Sequence, residues 1–450
     1  MSGGAKSPSS WVALIPFGVF AVFYVGLSLY AGNCGFDMPW YKVPMPIAFL
    51  VASAVALVLG RGTFEEKVDV YASGMGHVNI MLMCLIFILA GAFATVAKGS
   101  GAVDAAVALA QTVIPARLMV AGVFLVSCLI STAVGTSCGT IAAVAPIALG
   151  FAAPLQLPPA LLLGAVVSGA MFGDNLSMIS DTTIAATRTQ NVRMTDKFRA
   201  NLLIALPAAL AAFGLYVASG LSAGTVDVPS VGWREAVLVS PYVLILVLAL
   251  AGYNVMALLF GGTLLSAGLG CALGRFDFFG ALDLLGKGTL GMSETLIVAL
   301  LAGGLFRSVQ ANGGIAWLTE KIARLVKGPR SCEAGVAVLT ASVNFFTANN
   351  TVAIVIAGPI ARECAIRFKA NPTRIASVLD TCSCIVQGLI PYGAQILIAI
   401  GVAKGLDLSI GSFDLLKCLY YQPLLALSVL VVLVLPRPPS DDSVASRHLK

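Results

Sequence analysis

The chain has 450 residues, 58% of them hydrophobic and only 11% charged, with a mean hydropathy of +0.95 and a formal charge of +6. A soluble domain carries about 25% charged residues, so the composition describes a polytopic helical membrane protein and excludes a nucleic-acid binder, a secreted disulfide scaffold and a cytosolic enzyme. The positive charge calls for no acidic partner, because basic loops on the cytoplasmic side account for it.

The first apolar run, Trp11 to Ala31, is long and lacks a convincing cleavage site after it, so it reads as a span and not as a removable signal. Further spans are predicted over 43–60, 78–97, 160–187, 202–219, 236–251, 255–273, 290–306, 375–402 and 418–435, about ten full spans in all. Most cysteines stand inside such runs (Cys84, Cys128, Cys138, Cys271, Cys382, Cys384) and read as small buried hydrophobes, not as a metal or redox centre.

Two apolar stretches have the wrong length. Residues 118–152 and 335–368 are too long for one span of about 20 residues and too short for two plus a turn. Each is broken by a polar cluster, Gly135-Thr136-Ser137-Cys138-Gly139-Thr140 in the first and Thr347-Ala348-Asn349-Asn350-Thr351 in the second. A re-entrant helical hairpin with the cluster at its tip fits both. Irregular backbone at that depth requires burial in protein or a wet cavity.

An offset of 213 takes Pro146-Ile147-Ala148 onto Pro359-Ile360-Ala361 and Thr136-Ser137 onto Asn349-Asn350; an offset of 212 takes Gly101 onto Gly313. The chain accordingly divides into N-terminal spans (1–75), a first repeat (76–220; hairpin 118–152, broken span 160–187), connecting spans (221–287), a second repeat (288–435; hairpin 335–368, broken span 375–402) and a cytoplasmic tail (436–450). In this layout one face collects eighteen bases, among them Arg188, Arg193, Lys197 and Arg199, and the other eight. The richer face is cytoplasmic. Both termini then lie inside and the repeats are inverted, the usual build of secondary transporters.

Of 21 acidic residues, only Asp174, Asp181, Glu294 and Asp380 fall well inside predicted spans. A carboxylate there faces a cavity, a partner or an ion. Asp174 and Asp181 are seven residues apart and would share a face if the segment were helical; Asn175, Ser177, Ser180, Thr182, Thr183 and Thr187 crowd around them. Carboxylate, amide, hydroxyl and freed carbonyl oxygens suit a small hard cation. Asp380-Thr381, Gln387 and Gln395 mirror this set in the second repeat. Glu294 reads either as a proton carrier or as the partner of a base near a span end. His77 and His448, the only histidines, are too few for a metal site.

Gly135 to Ala142 with Pro146, followed by Phe172-Gly173-Asp174-Asn175 and Ser180-Asp181-Thr182-Thr183, resembles the NhaC-type sodium/proton antiporter family, within the ion-transporter superfamily of hairpin-containing carriers. The likeness runs from about Gly74 to Leu435. Cys138 departs from it, standing where an aromatic is common, and Asn175-Leu176-Ser177-Met178 replaces a Ser-Pro. The resemblance implies a sodium-coupled secondary transporter, most simply exchanging Na⁺ for H⁺ at one acidic site in a bacterial cytoplasmic (inner) membrane. Na⁺ is then the only metal, there is no cofactor, and a homodimer is a candidate assembly. Asp181 is the first choice for the shared carboxylate and Asp174 the second, with Asn175, Ser180, Thr182, Asp380 and Thr381 around them. Thr136, Ser137, Thr140, Asn349, Asn350 and Thr351 serve at the tips; Glu294, Gln387 and Gln395 are candidates for substrate or proton. The alternative on the same scaffold is Na⁺- or H⁺-driven transport of an amino acid or organic carboxylate. An intramembrane aspartyl protease, suggested by Gly173-Asp174, lacks a Tyr-Asp partner, and no nucleotide-binding loop supports an ATP-driven pump.

Overall fold

A computed structural model describes residues 9–34, 43–224, 232–251 and 253–434. The tail 436–450 and the amino-terminal residues 1–8, on which the placement of the termini was to rest, lie outside the described residues. The described chain is helical throughout, with eight helices long and apolar enough to cross a membrane and four shorter apolar ones.

The helices in chain order are α1 (Trp11–Ala31), α2 (Met45–Leu59), α3 (Phe64–Met75), α4 (Val78–Ser100), α5 (Ala102–Val113), α6 (Met119–Val134) and α7 (Ser137–Gly150). Then come α8 (Pro159–Leu176), α9 (Asp181–Gln190), α10 (Met194–Gly220), α11 (Trp233–Leu250), α12 (Val255–Ala272), α13 (Phe278–Gly291) and α14 (Ser293–Ala311). The last are α15 (Gly314–Leu325), α16 (Pro329–Thr347), α17 (Asn350–Arg367), α18 (Pro372–Leu389), α19 (Ala394–Gly405), α20 (Ser412–Lys417) and α21 (Tyr421–Val434).

Four interruptions position the site. Gly135 ends α6 in the left-handed region at φ 74°, and Ala348 ends α16 likewise at φ 47°. The next residues, Thr136 and Asn349, are both extended (φ −146°), and Asn349 caps α17 by accepting from the Val352 amide. Ser177 and Ile390 leave α8 and α18 in extended backbone, and Ser180 and Gly393 start α9 and α19 with matching torsions. Pro391 enforces the second break, since proline bars the preceding residue from the helical region. At the first break the serines do the same work by offering local hydrogen bonds that compete with the helix: the Ser180 hydroxyl accepts from the Thr182 amide. Gly101 and Gly313, at φ 84° and 87°, turn α4 into α5 and α14 into α15. The backbone irregularities thus recur along the chain.

The broken helices form the centre. In the Pro159–Gln190 and Pro372–Gly405 segments 83% and 78% of the apolar window is buried, against 33% for Met194–Gly220 at the periphery. Small residues let the backbones meet, the usual device where lipid supplies no hydrophobic drive between helices. Gly173 crosses α6 so closely that a Cβ would fall 2.5 Å from the Thr132 amide nitrogen. Packing is exchanged between the units: α9 lies on α17, the second limb of the later hairpin, and α19 lies on α7, the second limb of the earlier one.

Candidate functional site

Because the four breaks converge, polar groups from all of them line one cavity of about 380 Å³. Thr136 and Ser137 come from one tip, Asn349, Asn350 and Thr351 from the other, Asp174, Ser180, Asp181 and Thr182 from the first broken helix, and Gln387 and Gln395 from the second.

Asp174 is the anchor of this wall. It is 5% exposed, in the last turn of α8. Ser137 Oγ donates to its Oδ2 at 2.7 Å, and Ser180 Oγ donates to its Oδ1 at 2.5 Å. Ser137 opens α7 and Ser180 caps α9, so the carboxylate faces two helix N-termini, where the backbone dipole favours negative charge. A chain of bonds then crosses the cavity floor. Gln395 Nε2 donates to Ser137 Oγ at 2.9 Å, and Gln387 Nε2 donates to Gln395 Oε1 at 2.8 Å and to the Ala348 carbonyl at 2.9 Å. Two tips and two breaks are therefore one hydrogen-bonded unit. The buried Gln387 Oε1 is left without a donor.

Asp181 is placed differently. It is exposed to the cavity at the first position of α9, and the break at 177–180 separates it from the α8 face that carries Asp174. The two aspartates do not share a helix face, because Asp174 lies in the last turn of α8 and Asp181 opens α9.

The remaining expected residues are not on this wall. Thr140 Oγ1 donates to the Thr136 carbonyl of its own helix at 3.0 Å. Glu294 pairs with Lys404 at 2.8 Å, both half-exposed, beside a separate cavity. Asn175, Asp380 and Thr381 lie behind it in a fully buried cluster that centres on Lys197. Lys197, counted above among the loop bases of the cytoplasmic face, is buried and ion-paired with Asp380. It does not belong in the charge count. Asn201, one turn further along α10, completes the cluster, donating to Asn175 Oδ1 at 2.8 Å. The only sequence signal for this pair was a Lys and an Asn four residues apart at the head of a long apolar helix, masked by Arg188, Arg193 and Arg199 nearby.

Discontinuous helices and paired helical hairpins around an open polar cavity that holds two aspartates are the build of a membrane transporter. The model of the Na⁺/H⁺ antiporter family matches residues 12–221 and 227–435. The chain belongs to that family. It is 25% identical over 393 residues to the Na⁺/H⁺ antiporter NhaC of Bacillus subtilis, covering 78% of this chain and 84% of that one. It is also 22% identical to the malate-2H⁺/Na⁺-lactate antiporter of the same organism, covering 86% and 87%. The arginine/ornithine antiporter ArcD of Halobacterium salinarum is 24% identical, covering 86% and 85%.

Proposed function

We propose that the chain is a secondary active Na⁺/H⁺ antiporter of a bacterial cytoplasmic membrane, not an enzyme, and that Na⁺ and H⁺ compete for Asp174. The observation that carries this is a buried carboxylate, on the wall of an open polar cavity, that takes part in none of the ion pairs of the described residues. A buried carboxylate with no ion-pair partner is costly to ionise even where two hydroxyls donate to it, so a mobile cation or a proton stabilises it. Na⁺ near the carboxylate disfavours its protonation and protonation removes the charge that holds Na⁺, so each ion displaces the other. Ser137 and Ser180 hold the carboxylate in one orientation, and Gln387 Oε1 with the hydroxyls of Thr136 and Thr182 offers further oxygens. Asp181, at the wall's exposed end, raises the local cation concentration. Alternating access moves the hairpins and half-helices against the outer spans, the two repeats being inverted. The test is Na⁺-dependent pH change in proteoliposomes. Asp174→Asn, matched for protein amount, should abolish it; wild-type exchange in that variant would remove Asp174 from the site.

A second reading has its own support. Asn350 Nδ2, a buried donor on the cavity wall, has no acceptor. A neighbouring cavity of about 430 Å³ shares Asn79 and Asn349 with the first and carries Arg307 and His77. Donors and a guanidinium beside a cation site suit a carboxylate or amino acid that travels with, or against, the ion, which the named substrates of two relatives also suggest. Uptake screens with organic acids and amino acids under imposed Na⁺ and pH gradients separate the readings.

A further inference from the structure

A second cavity, of about 410 Å³, lies toward the other end of α19 and takes no part in the scheme above. Glu294, Thr295, Leu397, Ile400, Gly401 and Lys404 are on its wall. Helix α19 lines both cavities: Gln395 is on the wall of the first and Leu397 on that of the second, a rise of only about 3 Å along the helix. Asn79, in the first turn of α4, lines the first cavity, whereas Lys98, in its last turn, bonds to the end of α19 beside the second. From Asn79 to Lys98 the helix rises about 28 Å, close to the thickness of a hydrocarbon core. The two cavities therefore belong to opposite faces.

The far end of α19 is tied down by exposed polar contacts. Lys404, in its last turn, donates to Glu294 in the first turn of α14 at 2.8 Å, with side chains 57% and 46% exposed. Lys98 on α4 donates to the Leu406 carbonyl at 2.9 Å, where the helix dipole favours a cation, and lies 3.6 Å from Asp407. Near these ties α19 meets its neighbours through bare backbone: a Cβ on Gly401 would fall 2.4 Å from Met292 Sδ, and a Cβ on Gly291 would lie 3.7 Å from Gly405 Cα. The pair of Glu333 and Arg374 is built otherwise. Glu333 is 1% exposed and joins α16 to α18 by two bonds of 3.1 Å. Breaking a buried pair strands a charge and is strongly unfavourable, so it suits parts that stay together. An exposed pair returns its charges to water at little cost, so it suits parts that separate in every cycle.

We propose that the second cavity is the opposite-face vestibule of the ion path, and that the Lys404–Glu294 and Lys98–Leu406 contacts latch α19 over it while the Asp174 cavity is open. This rests on the alternating access of the antiport reading. When the latch parts, the end of α19 moves away from α14 and α4, the vestibule reaches Gln395 past Leu397, and the first cavity closes. Glu294 and Lys404 are positioning residues: they set which face the site meets and do not touch the ion at Asp174.

The experiment follows thiol reactivity of the full-length protein in detergent, where a small charged reagent reaches both faces, alongside Na⁺/H⁺ exchange in proteoliposomes. Two reporters are used in a background freed of other reactive cysteines: the native Cys138 on the wall of the first cavity, and Leu397→Cys in the second. Glu294→Gln and Lys404→Gln should each speed modification of Leu397→Cys by about two- to fivefold, the weight of one exposed ion pair, without raising that of Cys138. Reversing the pair, Glu294→Lys with Lys404→Glu, should bring the rate back toward the parent's. Ile400→Cys repeats the measurement should Leu397→Cys disturb the packing. A rise at both reporters, the mark of general loosening, would overturn the proposal. If the parent exchanges Na⁺ for H⁺ but the variants leave the vestibule reporter unchanged, the antiport reading stands and the latch falls. If that reporter alone speeds up while the parent shows no exchange, the latch stands and the antiport reading fails.

Discussion

Ser137 illustrates how little separates a packing residue from an ion-site residue. Its hydroxyl donates to Asp174 and accepts from Gln395. Ser137→Ala removes one donor to a charged acceptor and orphans a buried amide, and hydrogen bonds to charged groups contribute about 1.5–3 kcal/mol. Na⁺ affinity in that variant should fall by about tenfold or more, read from the Na⁺ concentration giving half-maximal exchange in proteoliposomes. Asp181→Asn should change the same quantity by less than about fivefold, since an exposed charge interacts through water; a larger loss would restore Asp181 to the centre of the site. Na⁺ activation should strengthen as pH rises in the parent, because the proton is the competitor. Both aspartates were legible in the sequence, since acidic residues are scarce in its apolar runs. Their ranking was not. It depends on where the helix stops, and four residues from Ser177 to Ser180 decide which carboxylate is buried. Lys197 was illegible for the opposite reason: amid three arginines a lysine looks like a loop charge, and only the approach of α18 reveals its partner.

At the scale of elements, the two tips solve one geometric problem with different residues. Gly135 needs both a left-handed backbone, φ 74°, and room, since a Cβ there would lie 2.9 Å from Ile179 Cγ1 and 3.0 Å from the Ser180 nitrogen. Gly135→Ala should therefore cost about 1–3 kcal/mol and displace the α9 start. Ala348 already occupies the left-handed region at φ 47°. Ala348→Gly trades relief of about 1–2 kcal/mol of left-handed strain against glycine's greater chain entropy, and should stay within about 1 kcal/mol of the parent. Thermal unfolding in detergent tests both; equal losses in the two variants would contradict the geometry. The interruptions themselves were readable as polar and proline clusters inside apolar runs. The pairing of limbs was not, because α9 on α17 and α19 on α7 are contacts between segments far apart in the chain, made through small residues with no distinctive pattern.

At the scale of the molecule, orientation rests on the basic face, now without Lys197. Asn191 ends α9 in an exposed left-handed turn beside Arg188 and Arg193. Asn191→Cys in an otherwise unreactive background should be labelled only by reagents reaching the cytoplasm, and labelling from outside intact cells would reverse the topology. The exchanged packing also bears on how the chain comes to be built. During synthesis the first half of the chain enters the bilayer before its seat exists: the Gln190 side chain must wait for the Gly358 carbonyl, which it meets at 2.8 Å, and Ser137 must wait for Gln395. Until α17 and α19 arrive, the Gln190 amide and the Ser137 hydroxyl lack these partners, and unsatisfied polar groups are costly at membrane depth. A chain halted after Arg330 should insert yet be cut by protease near α9, whereas the completed chain resists. Protection of the halted chain would show that the first half of the chain matures alone. Otherwise the ion site lacks the whole wall that Gln387 and Gln395 supply until nearly nine-tenths of the protein has been made.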